Sequence, residues 1–144
     1  MKKNLKNRGF TLIEILVVIG IIAILAAIVL VAINPAKRFA DANDAQRQSN
    51  LNQIANAIGQ DIVDNKGISS CAAIPVAPAA AKDIGTVAGG ANLAACLGSY
   101  LTPIPFDPTT GDATTTNYKV QKLTTGQIQL SATLSDASIY TVTR

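Results

Sequence analysis

The stretch Gly9-Phe10-Thr11-Leu12-Ile13-Glu14 opens an unbroken apolar run over residues 10–33, FTLIEILVVIGIIAILAAIVLVAI, and its reading decides the organisation of the chain. Glu14 is the only charged residue among those 24 positions. As a helix rising about 1.5 Å per residue, the run extends roughly 36 Å. A bilayer core is about 30 Å thick, so the run can cross it with some tilt. Lys2, Lys3, Lys6 and Arg8 precede it. The positive-inside rule therefore places residues 1–9 in the cytoplasm and everything after Ile33 outside. An ordinary secretory signal fits less well. Such signals have an apolar core of about 7–15 residues and a small-x-small cleavage site. The first Ala-x-Ala here, Ala40-Asp41-Ala42, comes only after Lys37 and Arg38.

A plain membrane anchor leaves Glu14 without a reason. A carboxylate inside a membrane helix costs roughly 2.5–3.5 kcal/mol on insertion scales, and such residues usually mark function and have a partner. The run itself contains no cation. A cut between Gly9 and Phe10 would create one, the new amino group of Phe10. Glu14 lies four residues further on, one helical turn away. It could pair with its own terminus or with that of an adjacent subunit.

At these residues the sequence resembles the type IV pilin and type II secretion pseudopilin family. The resemblance rests on Gly9-Phe10-Thr11-Leu12-Ile13-Glu14 after a short basic leader and covers about residues 1–65. It implies that a prepilin peptidase cuts between Gly9 and Phe10 and methylates Phe10, and that Glu14 is the assembly carboxylate. The implied partners are that peptidase, an assembly platform with its motor, the membrane as a single-pass precursor, and further copies of the chain in a filament. The expected location is the cytoplasmic membrane first, then a surface or periplasmic filament. Two features depart from many relatives. Val31 stands where they carry proline, and Cys71 and Cys96 do not staple the C-terminal loop.

Beyond the run, Asn34-Pro35 predicts a kink or short break. Residues 36–65 are predicted as helix. Leu51, Ile54, Ala55, Ile58 and Ile62 recur at steps of three and four as an apolar stripe, while Gln53, Asn56, Gln60, Asp61 and Asp64 occupy the other positions. Gly67 suits the helix end. Residues 68–98 are rich in Ala, Gly and Pro without a firm period and are predicted as a loop, with Ala91–Leu97 a candidate short helix. Strands are predicted at Tyr118–Leu123, Gln127–Ala132 and Ile139–Val142, with Thr124-Thr125-Gly126 as a turn. The predicted class is α+β. A leader (1–9) precedes one long kinked helix, whose first half (10–33) is the membrane or filament-core segment and whose second half (34–67) is amphipathic, and a small extracytoplasmic domain (68–144) follows. That domain carries an antiparallel sheet over about residues 117–143, packed on the helix.

Composition narrows the function. The formal charge is +3, but without residues 1–9 the chain has eight Lys and Arg against nine Asp and Glu, or −1. Nucleic acid is not favoured as a partner, which counts against a competence pilin, one alternative to a pilus subunit. A pseudopilin shares every feature of residues 1–65. The sequence has no His, no nucleophile–base pair and no phosphate loop, so an enzyme is not expected. No Asn-x-Ser/Thr sequon occurs.

Cys71 and Cys96 are compatible by spacing with a bridge or with two thiols. An extracytoplasmic domain makes the bridge the default, and closing that loop contributes about 3 kcal/mol. No cofactor is expected. Calcium is the one candidate, and a weak one, on Asp107 and Asp112 within Phe106-Asp107-Pro108-Thr109-Thr110-Gly111-Asp112, because such a stretch is more often a solvated turn. Tyr100, Tyr118 and Tyr140 are expected to serve packing.

Overall fold

The computed structural model describes residues 9–144; most of the expected leader, residues 1–8, lies outside the described residues. The chain divides into two compact units, residues 1–38 and 39–144.

In the first unit α1 runs from Leu12 to Ala32, roughly 31 Å of helix. Thr11 is its N-cap and Ile33, in extended conformation, its C-cap. The helix α2, Pro35–Asp64, then starts afresh. Asn34 accepts a hydrogen bond at Oδ1 from the Lys37 N–H (3.3 Å), and Pro35 takes the first helical position, where its missing N–H costs nothing. The kink or short break expected within one long helix is thus a full stop and restart that divides it into two helices, because Ile33 is extended and Pro35 can only begin a helix. No residue of α1 is buried.

The second unit forms around the inner face of α2. Leu51, Ile54, Ala55 and Ile58 are fully buried, as the stripe predicted, and Ile62 packs against them partly exposed. The stripe has polar ends. Arg47, Asn50 and Asp61 also face inward and are buried. Asp61, expected on the polar face, is only 1% exposed. The steps of three and four that place Ile54 and Ile58 inside carry on to position 61.

Four antiparallel strands complete the unit: β1 (Lys82–Gly85), β2 (Thr115–Lys122), β3 (Ile128–Thr133) and β4 (Ile139–Thr143), in that spatial order. Thr116, Tyr118 and Val120 on β2, and Ile128, Leu130 and Ala132 on β3, point into the core by simple alternation. The register sets Val120 opposite Leu130 and Leu130 opposite Val142. Gly126, at φ 91°, closes the predicted turn, its N–H donating to the Leu123 carbonyl at 2.9 Å. Each large aliphatic side chain buried here contributes roughly 1.5–3 kcal/mol.

β1 lies inside the segment expected to be loop. Only Ile84 of its four residues is a large apolar side chain, so no alternation announces it. It exists because the β2 edge offers a ladder, joined with a register shift between Asp83 and Gly85. A side chain at Gly85 would come within 2.2 Å of the Thr114 carbonyl oxygen, so only glycine fits that approach. The helix α3, Ala94–Leu97, falls within the predicted short helix. Leu93 and Leu97 anchor it in the core.

Candidate functional site

The N-terminal constellation is built by local helix chemistry. Gly9 and Phe10 precede the first helical turn, and Phe10 is 85% exposed. Thr11 Oγ1 accepts from the Glu14 N–H (3.3 Å), while Glu14 Oε2 accepts from the Thr11 N–H (2.7 Å) and the Thr11 hydroxyl (2.9 Å). This is a reciprocal capping box, and it satisfies two N–H groups that a helix start otherwise leaves open. The sequence reading gave Glu14 no partner before cleavage. The fold supplies two uncharged donors, and Thr-x-x-Glu before an apolar run is the signal that would have found them. The carboxylate therefore turns back toward the chain's start, onto the residue next to Phe10.

The helix behind it is apolar on every side. Such a helix is stable only when covered by lipid or by other protein. Here Leu16, Ile19, Ile22, Leu25 and Val29 are all more than half exposed. α1 is long and apolar enough to cross a membrane.

The other candidates of the sequence reading take definite places. Cys71 and Cys96 are joined by a disulfide, with Cα atoms 5.3 Å apart. Tyr118 is fully buried and its hydroxyl accepts from Asn50 Nδ2 at 2.9 Å. Tyr100 and Tyr140 are partly buried against the same core.

Asp107 has a different employment from the one considered for it. Its Oδ2 accepts from Arg47 Nε at 2.5 Å and its Oδ1 from Arg47 Nη2 at 3.2 Å. The Thr109 and Thr110 N–H groups and hydroxyls also point at Oδ1. Burial pushes the Asp107 carboxyl up, but Arg47 and these donors outweigh it and hold the group well below the usual carboxylate range. Arg47 also bonds Asp44, Ser135 and Thr109. One guanidinium thus ties α2 to the 107–109 turn and to the β3–β4 connection.

Asp112 is bound up locally, accepting from the Thr114 hydroxyl and N–H and from the Thr115 N–H. A calcium ion at Asp107 would meet a carboxylate already neutralised by an adjacent cation, which is a poor fit. Among the described residues no cluster of three or more His, Cys, Asp or Glu is placed to hold a metal.

Comparison with curated proteins and with solved structures gives no match. A family model does match at the N-terminus. Residues 4–30 carry the prokaryotic N-terminal methylation motif, the signature of type IV pilins and pseudopilins.

Proposed function

We propose that this chain is a structural subunit of a type IV pilus-like filament, made as a single-span membrane precursor and trimmed between Gly9 and Phe10. The observation that carries the reading is the placement of one carboxylate, Glu14, in the first turn of an otherwise uncharged and wholly uncovered apolar helix. The methylation motif over residues 4–30 supports the same reading.

Before cleavage, the capping box gives Glu14 two hydrogen bonds and lessens the cost of holding an acid at the membrane edge. Cleavage turns the Phe10 amide into a cationic amine beside that carboxylate. Lipid and a bundle of like helices are similarly apolar, so hydrophobicity alone does not drive α1 from one to the other. Packing and charge then decide. Pairing of Glu14 with the Phe10 amine of a neighbouring copy sets the stagger of subunits. Methylation leaves the amine cationic.

Mass spectrometry of the N-terminal peptide from natively expressed protein tests this. The expected peptide begins at Phe10 and is about 14 Da heavier than its sequence through one methyl group. A native chain that still begins at Met1 while forming fibres overturns the reading. Electron microscopy of filaments on the cell surface, against short periplasmic ones, separates a pilus subunit from a pseudopilin.

A further inference from the structure

Asp61 is a buried carboxylate for which the filament reading has no use. It lies in the last turns of α2, where an anion opposes the helix dipole, and among the described residues no cation pairs with it. It is held entirely by hydrogen bonds. Oδ2 accepts from the Ser69 hydroxyl (2.7 Å) and the Ser70 N–H (2.8 Å). Oδ1 accepts from the Ser70 hydroxyl (2.5 Å) and Asn65 Nδ2 (2.8 Å). The Cys71 N–H in turn donates to the Ser69 hydroxyl oxygen at 3.2 Å. The chain leaves α2, reverses through Lys66 and Gly67, both with positive φ, and is laid back on this carboxylate. The next residue is Cys71. One helical turn on, Asp64 Oδ2 accepts from the Tyr100 hydroxyl (2.8 Å), and the Tyr100 N–H donates to the carbonyl of Leu97, the residue after Cys96. The end of α2 therefore grips the chain on both sides of the bridge.

We infer that Asp61 is the positioning residue for oxidation of Cys71 and Cys96, a carboxylate clasp that holds Cys71 within reach of its partner before the bond exists. The inference stands on the disulfide and the clasp alone and does not depend on the filament reading. Oxidation proceeds by thiol–disulfide exchange with a disulfide oxidant. One cysteine thiolate attacks the oxidant's disulfide and releases one thiol. The second cysteine thiolate then displaces the oxidant's remaining sulfur. The chain loses two protons and two electrons, and the oxidant becomes two thiols. The clasp raises the local concentration of one thiol about the other in the second step, because Ser69 and Ser70 are already fixed.

The test is the effective concentration of the pair, measured on the full chain in detergent micelles. The chain is equilibrated in mixtures of reduced and oxidised glutathione, trapped by alkylation and weighed. Asp61→Asn keeps the volume but turns one oxygen into an amide donor. In either orientation that donor faces the Ser70 N–H or the Asn65 amide. The expected result is a loss of effective concentration of about tenfold or more, the size of a hydrogen bond to a charged group. Ser70→Ala, which removes one of the four donors, falls between this variant and the parent. It also keeps the test open if Asp61→Asn does not fold.

Ile54→Val is the control. It weakens the core away from the clasp and leaves the effective concentration unchanged while the chain is folded. Parental values for both clasp variants, within twofold, overturn the inference. So does an equal loss in Ile54→Val, which would make Asp61 a contributor to general stability only.

Discussion

Replacing Arg47 with Met probes the charge cluster that the sequence did not announce. Among the described residues the guanidinium is the sole partner of Asp107 Oδ2, and it makes further bonds to Asp107 Oδ1, Asp44, Ser135 and Thr109. Both Arg47 and Asp107 are less than a tenth exposed. Removing the cation leaves a buried carboxylate oxygen with no donor, a change that typically costs about 3–5 kcal/mol. The Thr109 and Thr110 donors remain on Oδ1, so the lower end, about 3 kcal/mol, is expected. For a unit of residues 39–144 this corresponds to roughly 12 °C in melting temperature.

The assay is thermal and urea unfolding of the full chain in detergent, followed by near-ultraviolet circular dichroism. The chain has no Trp and only three Tyr, so buried Tyr118 is the natural probe. A double-mutant cycle with Asp107→Leu isolates the pair. Once both charges are gone, the double variant is less damaged than the two single losses added together.

The pH dependence has a definite sign. The Asp107 carboxyl is held below its unfolded value. Its contribution is therefore complete above about pH 4 and fades as the pH falls below that, toward the depressed folded value. The gap between parent and Arg47→Met should narrow over the same window. A loss under about 1 kcal/mol at neutral pH, or strict additivity in the cycle, would refute the assignment of Arg47 as the keystone of this unit.

Two further outcomes are expected. Glu14→Gln retains an oxygen that can accept from Thr11 but loses the charge, whereas Glu14→Ala loses both. If charge pairing with the Phe10 amine sets subunit stagger, both variants insert in the membrane and both fail to give normal filament yield; normal yield from Glu14→Gln would reduce the residue to a helix cap. Titration of calcium into the chain, monitored by melting temperature, should leave the transition unmoved, because Arg47 already neutralises Asp107; a rise of several degrees would overturn that account.

Much of the architecture was legible because it rests on local patterns. A run of apolar residues long enough for a bilayer, a basic segment ahead of it and one acid four residues past a Gly-Phe bond are all contiguous signals. The Asn34-Pro35 break is a covalent constraint. The faces of α2, β2 and β3 follow from periods of 3.6 and 2, which local geometry enforces wherever one side is buried. The capping box of Thr11 and Glu14 was equally local and open to the same reading.

The tertiary structure decided the rest, and it decided it with polar atoms. Arg47 and Asp107 are 60 positions apart, and nothing near either residue in sequence shows that the other waits across the core. Asp61 looked like a solvent-facing acid because hydropathy reports what a side chain prefers in isolation. Its burial becomes tolerable only when Ser69, Ser70 and Asn65 surround it with donors. β1 has no pattern of its own and is a strand because β2 has an edge to fill. Apolar periodicity is a property of one segment and can be read from that segment. The satisfaction of a buried charge or an open strand edge belongs to two segments at once, and exists only after the chain has brought them together.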